Sequence, residues 1–137
     1  MRVKSLVLSS IIVLVLSFSV ISVGAQADPS PAFEPATCQF DIPDGVTIDC
    51  GFVTVPENRS NPDNTSDIRL AVAIVRTQSA NALPDPIIYL DGGPGGETIG
   101  SLPGLYENQF SQFDSADRDI IFFDQRGIGF SEPNLFC

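Results

Sequence analysis

The chain has 137 residues, with 17 acidic against 7 basic side chains, no histidine and a formal net charge of −10. This balance argues against nucleic-acid binding, because phosphate recognition needs clustered lysine and arginine. The hydrophobic content of 43% is that of an ordinary globular protein, so disorder is not expected. The acidic residues are scattered along the chain, which indicates a solvated surface and identifies no substrate.

Residues 1–27 have the pattern of a signal peptide. Arg2 and Lys4 supply a positive start, residues 6–23 are apolar apart from serines, and Ala25-Gln26-Ala27 is a small-x-small cleavage site. The alternative is an uncleaved membrane anchor, since about 18 apolar residues just reach spanning length. The serines and the cleavage signal favour removal. We therefore expect cleavage after Ala27, no stable membrane insertion, and a secreted, periplasmic or extracellular protein.

A proline-rich tether is predicted over residues 28–37, followed by the globular part over 38–137. In an exported chain the cysteines are disulfide candidates. Cys38 and Cys50 flank a turn over residues 41–45 and are predicted to pair with each other. Cys137 is then left over, and the preferred explanation is a missing partner. With no histidine and no close cysteine pair, neither a metal nor a cofactor is expected.

Alternation and apolar runs predict the elements of the globular part. Two strands over residues 46–55 and 68–77 are joined by a connection rich in Asn, Asp, Ser and Pro, as in a hairpin. A buried strand over 87–90 and a last strand over 120–123 enclose a helix over 102–113, with Leu105, Phe110 and Phe113 available for its apolar face. This order predicts an α/β fold: an antiparallel hairpin, then a parallel β-α-β unit of a mostly parallel sheet.

Two glycine-rich segments directly follow the last two predicted strands. The first is Asp91-Gly92-Gly93-Pro94-Gly95-Gly96, and the second runs from Asp124 through Gln-Arg-Gly-Ile-Gly-Phe to Ser131. Glycine lets the backbone turn sharply and brings bare N–H groups to the carboxyl edge of the sheet, where open α/β folds bind ligands. The chemistry indicated is stabilisation of a developing negative charge. A dinucleotide site is not indicated, because threonine at position 98 breaks the Gly-x-Gly-x-x-Gly pattern.

These two segments resemble the α/β-hydrolase superfamily, and within it the prolyl aminopeptidase and tripeptidyl aminopeptidase group of serine peptidases. In that group a His-Gly-Gly-Pro-Gly-like turn supplies part of the oxyanion hole, and Asp91 stands here where many members have histidine. The next strand of the group runs into Asp-Gln-Arg-Gly-x-Gly-x-Ser, which residues 124–131 match at every defined position. The resemblance extends from Cys50 to Cys137.

The resemblance implies a role for each motif residue. Gly92 and Gly93 would form the oxyanion hole, supported by the remaining residues of the two loops: Pro94, Gly95, Asp124, Arg126, Gly127 and Gly129. Ser131 imitates a nucleophile, but Pro133 replaces the closing glycine and this serine is not the family's nucleophile. No Gly-x-Ser-x-Gly occurs, so nucleophile, acid and histidine are all expected after Cys137. The chain is thus expected to be the N-terminal part of an α/β-hydrolase domain, truncated before the nucleophile.

The implied function is that of a secreted serine hydrolase, an aminopeptidase-like enzyme that releases N-terminal residues or short peptides. This chain would supply the oxyanion loop and be inactive alone, and its partners would be a peptide or ester substrate and the missing C-terminal part of the same fold. Two alternatives stay open: an esterase or other small-molecule hydrolase of the same fold, and a non-catalytic secreted binding protein. A downstream Gly-x-Ser-x-Gly followed by aspartate and histidine would distinguish enzyme from binder.

Overall fold

The computed structural model describes residues 32–61, 66–93 and 95–136. The predicted signal peptide, the start of the tether, Pro94 and Cys137 lie outside these ranges. Within them, no helix has both the length and the apolar composition needed to cross a bilayer.

Five strands form one mixed sheet in the order β1-β2-β3-β5-β4. In chain order they are β1 (Phe33–Ala36), β2 (Ile48–Pro56), β3 (Asp67–Val75), β4 (Ile87–Ile88) and β5 (Ile120–Phe123). Strands β4 and β5 pair in parallel, whereas β1–β2, β2–β3 and β3–β5 pair antiparallel. The architecture is therefore compatible with part of an α/β fold.

The predicted hairpin is confirmed as the pair β2–β3. Nine residues of each strand pair in register, from Ile48 opposite Val75 to Pro56 opposite Asp67. The amide of Glu57 donates to the carbonyl of Ser66 at 2.9 Å, which continues the pairing into the connection. The strand bounds differ from the predicted ones by no more than two residues, because alternation locates a strand better than it locates its ends.

The predicted tether needs a correction over its last residues. Phe33–Ala36 form edge strand β1, which pairs with β2 from Phe33 opposite Val53 to Ala36 opposite Cys50. An edge strand tolerates Pro35, because one row of its amides has no strand to pair with. The predicted disulfide is confirmed: Cys38 and Cys50 are bonded across 12 positions of sequence. Closing a loop of this length stabilises the fold by about 3 kcal/mol in the chain-entropy estimate.

The β4–β5 crossover is helical, but it is not one regular helix. It begins as α1 (Leu102–Leu105), widens to a π-helical turn over Tyr106–Phe110 and tightens to a 3₁₀ segment over Ser111–Ala116. Pro103 and Gly104 are poor helix formers, which explains why the regular α-helical part is one turn long. Asp117 ends the segment in the left-handed conformation, with φ 55°.

The hydrophobic core lies between this helical segment and one face of the sheet. The segment contributes Leu102, Tyr106 and Phe110 at a spacing of four residues, whereas Phe113 is 37% exposed and stacks on Phe110. Side chains from three strands face them: Ile48, Phe52, Ala71, Ala73, Val75, Ile120 and Phe122. The prediction of a buried strand over residues 87–90 is wrong in two respects: the strand ends at Ile88, and Ile88 and Leu90 are 56% and 71% exposed. Ile88 belongs to edge strand β4 and Leu90 follows it, and the helical segment covers only the other face of the sheet.

Candidate functional site

The two glycine-rich loops lie side by side at one edge of the sheet. The first follows β4 and the second follows β5, and parallel strands place their carboxyl ends at the same edge. The side chain of Gln125 connects the loops, because its Nε2 donates to the carbonyl oxygen of Asp91 at 3.1 Å. The structure thus brings the two predicted loops together as expected. Their contact runs through Gln125, which the sequence analysis did not single out.

In the first loop, the carboxylate of Asp91 folds back onto the turn. Its Oδ1 accepts the amide hydrogen of Gly92 at 2.8 Å and the hydroxyl hydrogen of Tyr89 at 3.3 Å. Burial, then the charge of Asp91 and this hydrogen bond, raise the pKa of Tyr89. The Gly92 amide already has an acceptor in this conformation, so it is not available to an oxyanion. Of the two residues predicted to donate to an oxyanion, Gly93 therefore remains the candidate.

Gly93 occupies a point at which the turn closes on itself. A Cβ added there would lie 2.7 Å from the amide nitrogen of Gly95 and 3.2 Å from that of Gly96. Real Cβ atoms do not approach backbone this closely, so any side chain at position 93 would force the turn open. Gly95 follows with φ 83°, in the left-handed region that favours glycine. The turn is therefore a backbone structure that only glycine at position 93 allows.

The carboxylate of Asp124 holds the far arm of this turn. Asp124 is fully buried, and its Oδ1 accepts the amide hydrogens of Thr98 at 2.7 Å and Ile99 at 3.0 Å. Its Oδ2 accepts the amide hydrogen of Phe130 at 2.8 Å from the second loop. A buried carboxylate is stable only when such donors replace water. One side chain thus joins the residues that follow the first loop to the second loop.

Gly129 and Ser131 complete the packing around Asp124. A Cβ at Gly129 would lie 2.1 Å from Asp124 Oδ2, so this position has room for hydrogen only. Ser131 is 2% exposed, and its hydroxyl donates to the carbonyl of Asp124 at 2.9 Å while accepting the amide hydrogen of Ala71 at 3.0 Å. Its oxygen links β3 to the second loop and is turned away from solvent, as a structural hydroxyl requires.

Arg126 does not support the first loop, in contrast to the expectation from its motif. Its guanidinium donates to the carbonyl oxygens of Glu57 at 2.5 Å and Pro56 at 3.1 Å, at the end of β2. The long side chain of Arg126 therefore contacts the end of the hairpin, whereas the shorter side chain of Gln125 contacts the first loop. Gly127 lies in the left-handed region at φ 74°, and its carbonyl accepts the amide hydrogen of Leu135. Both residues therefore shape the second loop itself.

Sequence reasoning missed three contributors to this edge of the sheet: Tyr89, Gln125 and the Thr98–Ile99 amides. Gln125 lies within the recognised Asp-Gln-Arg-Gly motif, so its place directly after a strand could have drawn attention to it. Nothing in the sequence marks the amides of Thr98 and Ile99 as partners of Asp124. Among the described residues, no group of three or more His, Cys, Asp or Glu side chains is arranged to hold a metal ion.

Comparison with known proteins gives relatives of one kind over most of the chain. A tripeptidyl aminopeptidase of Streptomyces lividans is 33% identical over 104 residues, which are 74% of this chain and 19% of the relative. The serine protease Hip1 of Mycobacterium tuberculosis is 28% identical over 99 residues, 72% of this chain and 18% of the relative. A probable proline iminopeptidase of Leptolyngbya boryana is 44% identical over 57 residues, 42% of this chain and 16% of the relative.

The chain therefore spans about a fifth of the length of the curated relatives that it matches. No family model matches it.

Proposed function

Because this chain is related to serine peptidases of the tripeptidyl aminopeptidase and proline iminopeptidase group, we propose that it forms the N-terminal part of a secreted serine hydrolase with an α/β-hydrolase fold. These relatives confirm the resemblance that the two glycine-rich motifs indicate, and their names support a peptidase of the hydrolase type. Secretion is supported by the leader-like residues 1–27 and by the disulfide between Cys38 and Cys50.

One observation carries the proposal more than any other. Two glycine-rich loops follow adjacent parallel strands, and the Asp124 carboxylate ties the residues directly after the first loop to the second loop with three backbone hydrogen bonds. A catalytic oxyanion site needs amide donors that are fixed before the substrate arrives, because their reorganisation would otherwise cost energy in the transition state. The hydrogen bonds of Asp124 and Gln125 supply that rigidity. An ordinary surface turn would not require a fully buried carboxylate.

The mechanism proposed for the whole protein is acyl transfer through a serine ester. A serine oxygen supplied by the rest of the protein attacks the substrate carbonyl carbon while a histidine takes the serine proton. The Gly93 amide donates to the resulting oxyanion. The leaving amine then departs with the proton from histidine, and water hydrolyses the ester by the same route. This chain supplies the electrostatic part of the reaction, and no side chain described here supplies the nucleophile.

The exposed strand β4 is the proposed junction with the rest of the fold. Ile88 and Leu90 are 56% and 71% exposed, and among the described strands β4 pairs with β5 alone. A further strand on this edge would pair the open backbone groups of the segment, and a further layer on the uncovered face would bury both side chains. The Gly93 turn follows this strand in the chain. A nucleophile arriving on such a strand would therefore lie beside the proposed oxyanion donor.

Hydrolysis assays test the proposal and separate it from its alternatives. The full-length protein should hydrolyse aminoacyl or peptidyl arylamides, whereas residues 28–137 alone should hydrolyse none. Cleavage of p-nitrophenyl esters without cleavage of any arylamide would favour the esterase alternative. A full-length protein with no hydrolytic activity would contradict the proposal and favour a binding protein.

A further inference from the structure

The peptide unit between Asp91 and Gly92 is hydrogen-bonded at both of its ends. Its carbonyl oxygen, which belongs to Asp91, accepts from Nε2 of Gln125 at 3.1 Å. Its amide, which belongs to Gly92, donates to Oδ1 of the Asp91 side chain at 2.8 Å. One bond comes from the second loop and the other from the first, and both act on the same planar group. A flip of this peptide unit would therefore break both bonds.

The carboxylate of Asp91 is in turn held by Tyr89. The hydroxyl of Tyr89 donates to the same Oδ1 at 3.3 Å. The ring centroid of Tyr89 lies 4.9 Å from that of Phe110 in the crossover and 5.6 Å from that of Phe122 in β5. The amide of Tyr89 donates to the carbonyl of Ile121 at 2.9 Å. The core and the sheet therefore fix the acceptor oxygen that holds the turn.

The next peptide unit carries the proposed oxyanion donor, the amide of Gly93. Gly92 lies between the two peptide units, and a Cβ at Gly92 would meet no atom within 4 Å. Because glycine has no side chain to pack, packing does not restrict the backbone dihedrals of Gly92. The direction of the Gly93 amide therefore depends on the hydrogen bonds that hold the preceding peptide unit. An oxyanion donor is effective only when its direction is fixed before the substrate arrives.

We propose that Asp91 is a positioning residue for the reaction: with Gln125 it clamps the peptide unit 91–92 and so directs the Gly93 amide to the oxyanion. This inference rests on the proposed function and deepens it. It assigns a role to a residue that stands where many members of the group have histidine. The role requires an acceptor oxygen at this place, and it does not require a negative charge.

The test compares Asp91→Ala with Asp91→Asn in the full-length protein, on one arylamide that the wild-type protein cleaves. Alanine removes the acceptor, and kcat should fall about tenfold with little change in KM, because the oxyanion contact is made only in the transition state. Asparagine keeps an acceptor oxygen, and kcat should stay within about threefold of wild type. Asp44→Ala is the matched control, since Asp44 also precedes a glycine in an exposed turn, and it should change neither constant. Each rate is divided by the folded fraction, which urea denaturation measures.

A double-mutant cycle tests whether the two bonds act on one peptide unit. Gln125→Ala alone should also lower kcat about tenfold. The double variant with Asp91→Ala should lose about as much as either single variant, well short of the product of the two losses, because either change already frees the peptide unit. Tyr89→Phe should lower kcat by about two- to threefold in the wild-type background and have no further effect on Asp91→Ala, since Tyr89 acts through this carboxylate.

Three results would each overturn this inference and leave the proposed function intact: an Asp91→Ala variant with the kcat of wild type, an Asp91→Asn variant as impaired as Asp91→Ala, or losses that multiply in the double variant. A wild-type protein that hydrolyses no arylamide or ester would overturn both.

Discussion

At Asp124, one carboxylate accepts three backbone amide hydrogens, from Thr98, Ile99 and Phe130. Asp124→Asn keeps the shape but replaces one acceptor oxygen with an amide group that donates. A buried backbone amide would then lose its partner, at a cost of about 1–3 kcal/mol. We expect a corresponding fall in the free energy of unfolding, measured by urea denaturation. Amide hydrogen exchange should also accelerate at these three residues.

The exchange pattern distinguishes this role from general destabilisation. The Tyr89 amide, which donates to the Ile121 carbonyl within the sheet, is the internal reference and should keep its protection. Unchanged protection at Thr98 and Ile99 in Asp124→Asn would mean that the carboxylate does not fix the residues that follow the first loop.

The requirement for glycine at position 93 can be tested by adding a single methyl group. Gly93→Ala puts a Cβ 2.7 Å from the Gly95 nitrogen and should displace the proposed oxyanion donor. We expect a loss in kcat of about 100-fold in the full-length enzyme, the usual cost of removing one such donor. Gly104→Ala is the matched control, because a Cβ there meets no atom within 4 Å. Similar activity in the two variants would exclude Gly93 as a donor.

Three strands are joined at their ends by one arginine. The guanidinium of Arg76, just past β3, donates to Asp49 of β2 and to Asp119 just before β5, each at 2.7 Å. Burial would raise the pKa of Asp119, but the Thr77 amide and Arg76 outweigh it and hold that pKa below its ordinary value. The hydrogen bonds with Asp119 and Asp49 raise the pKa of Arg76 in turn.

This network predicts a pH dependence of stability. A carboxyl group with a lowered pKa stabilises the folded state above its unfolded pKa of about 4 and loses that contribution as the pH falls further. Arg76 is 43% exposed and Asp119 28%, so solvent screening limits the effect to about 1 kcal/mol. Asp119→Asn should therefore lower the free energy of unfolding at pH 7 but hardly at pH 3, with Asp44→Asn as the exposed control. An equal deficit at both pH values would contradict this assignment.

For the whole molecule, the sequence predicted the order of elements better than their environment. The hairpin, the last strand at 120–123, the crossover and the disulfide are all found, because alternation, apolar runs and cysteine spacing are local signals. The exposure of Ile88 and Leu90 was not predictable, since an apolar run does not reveal whether both faces of its strand are covered. Strand β1 was missed because the prolines around it indicate a tether, and its pairing with β2 leaves no local signal in the sequence.

For the candidate site too, the sequence predicted which segments take part but not how their side chains contact each other. The motifs located both loops and predicted a supporting role for Asp124. They could not reveal that Gln125, and not Arg126, reaches the first loop, because both residues follow the same strand and only the fold decides which way each points. Nor could the motifs reveal that the Asp91 carboxylate accepts the hydrogen bond of the Gly92 amide. Such contacts depend on side-chain direction at a sheet edge, which spacing does not encode.

The central claim is that this chain supplies the oxyanion part of a serine hydrolase whose nucleophile lies elsewhere in the protein. A fluorophosphonate probe tests it most directly, because such probes label an activated serine covalently. Peptide mapping of the labelled full-length protein should find the probe on a serine after Cys137, and residues 28–137 alone should stay unlabelled. Labelling of Ser131, or no labelling of the full-length protein at all, would contradict the claim.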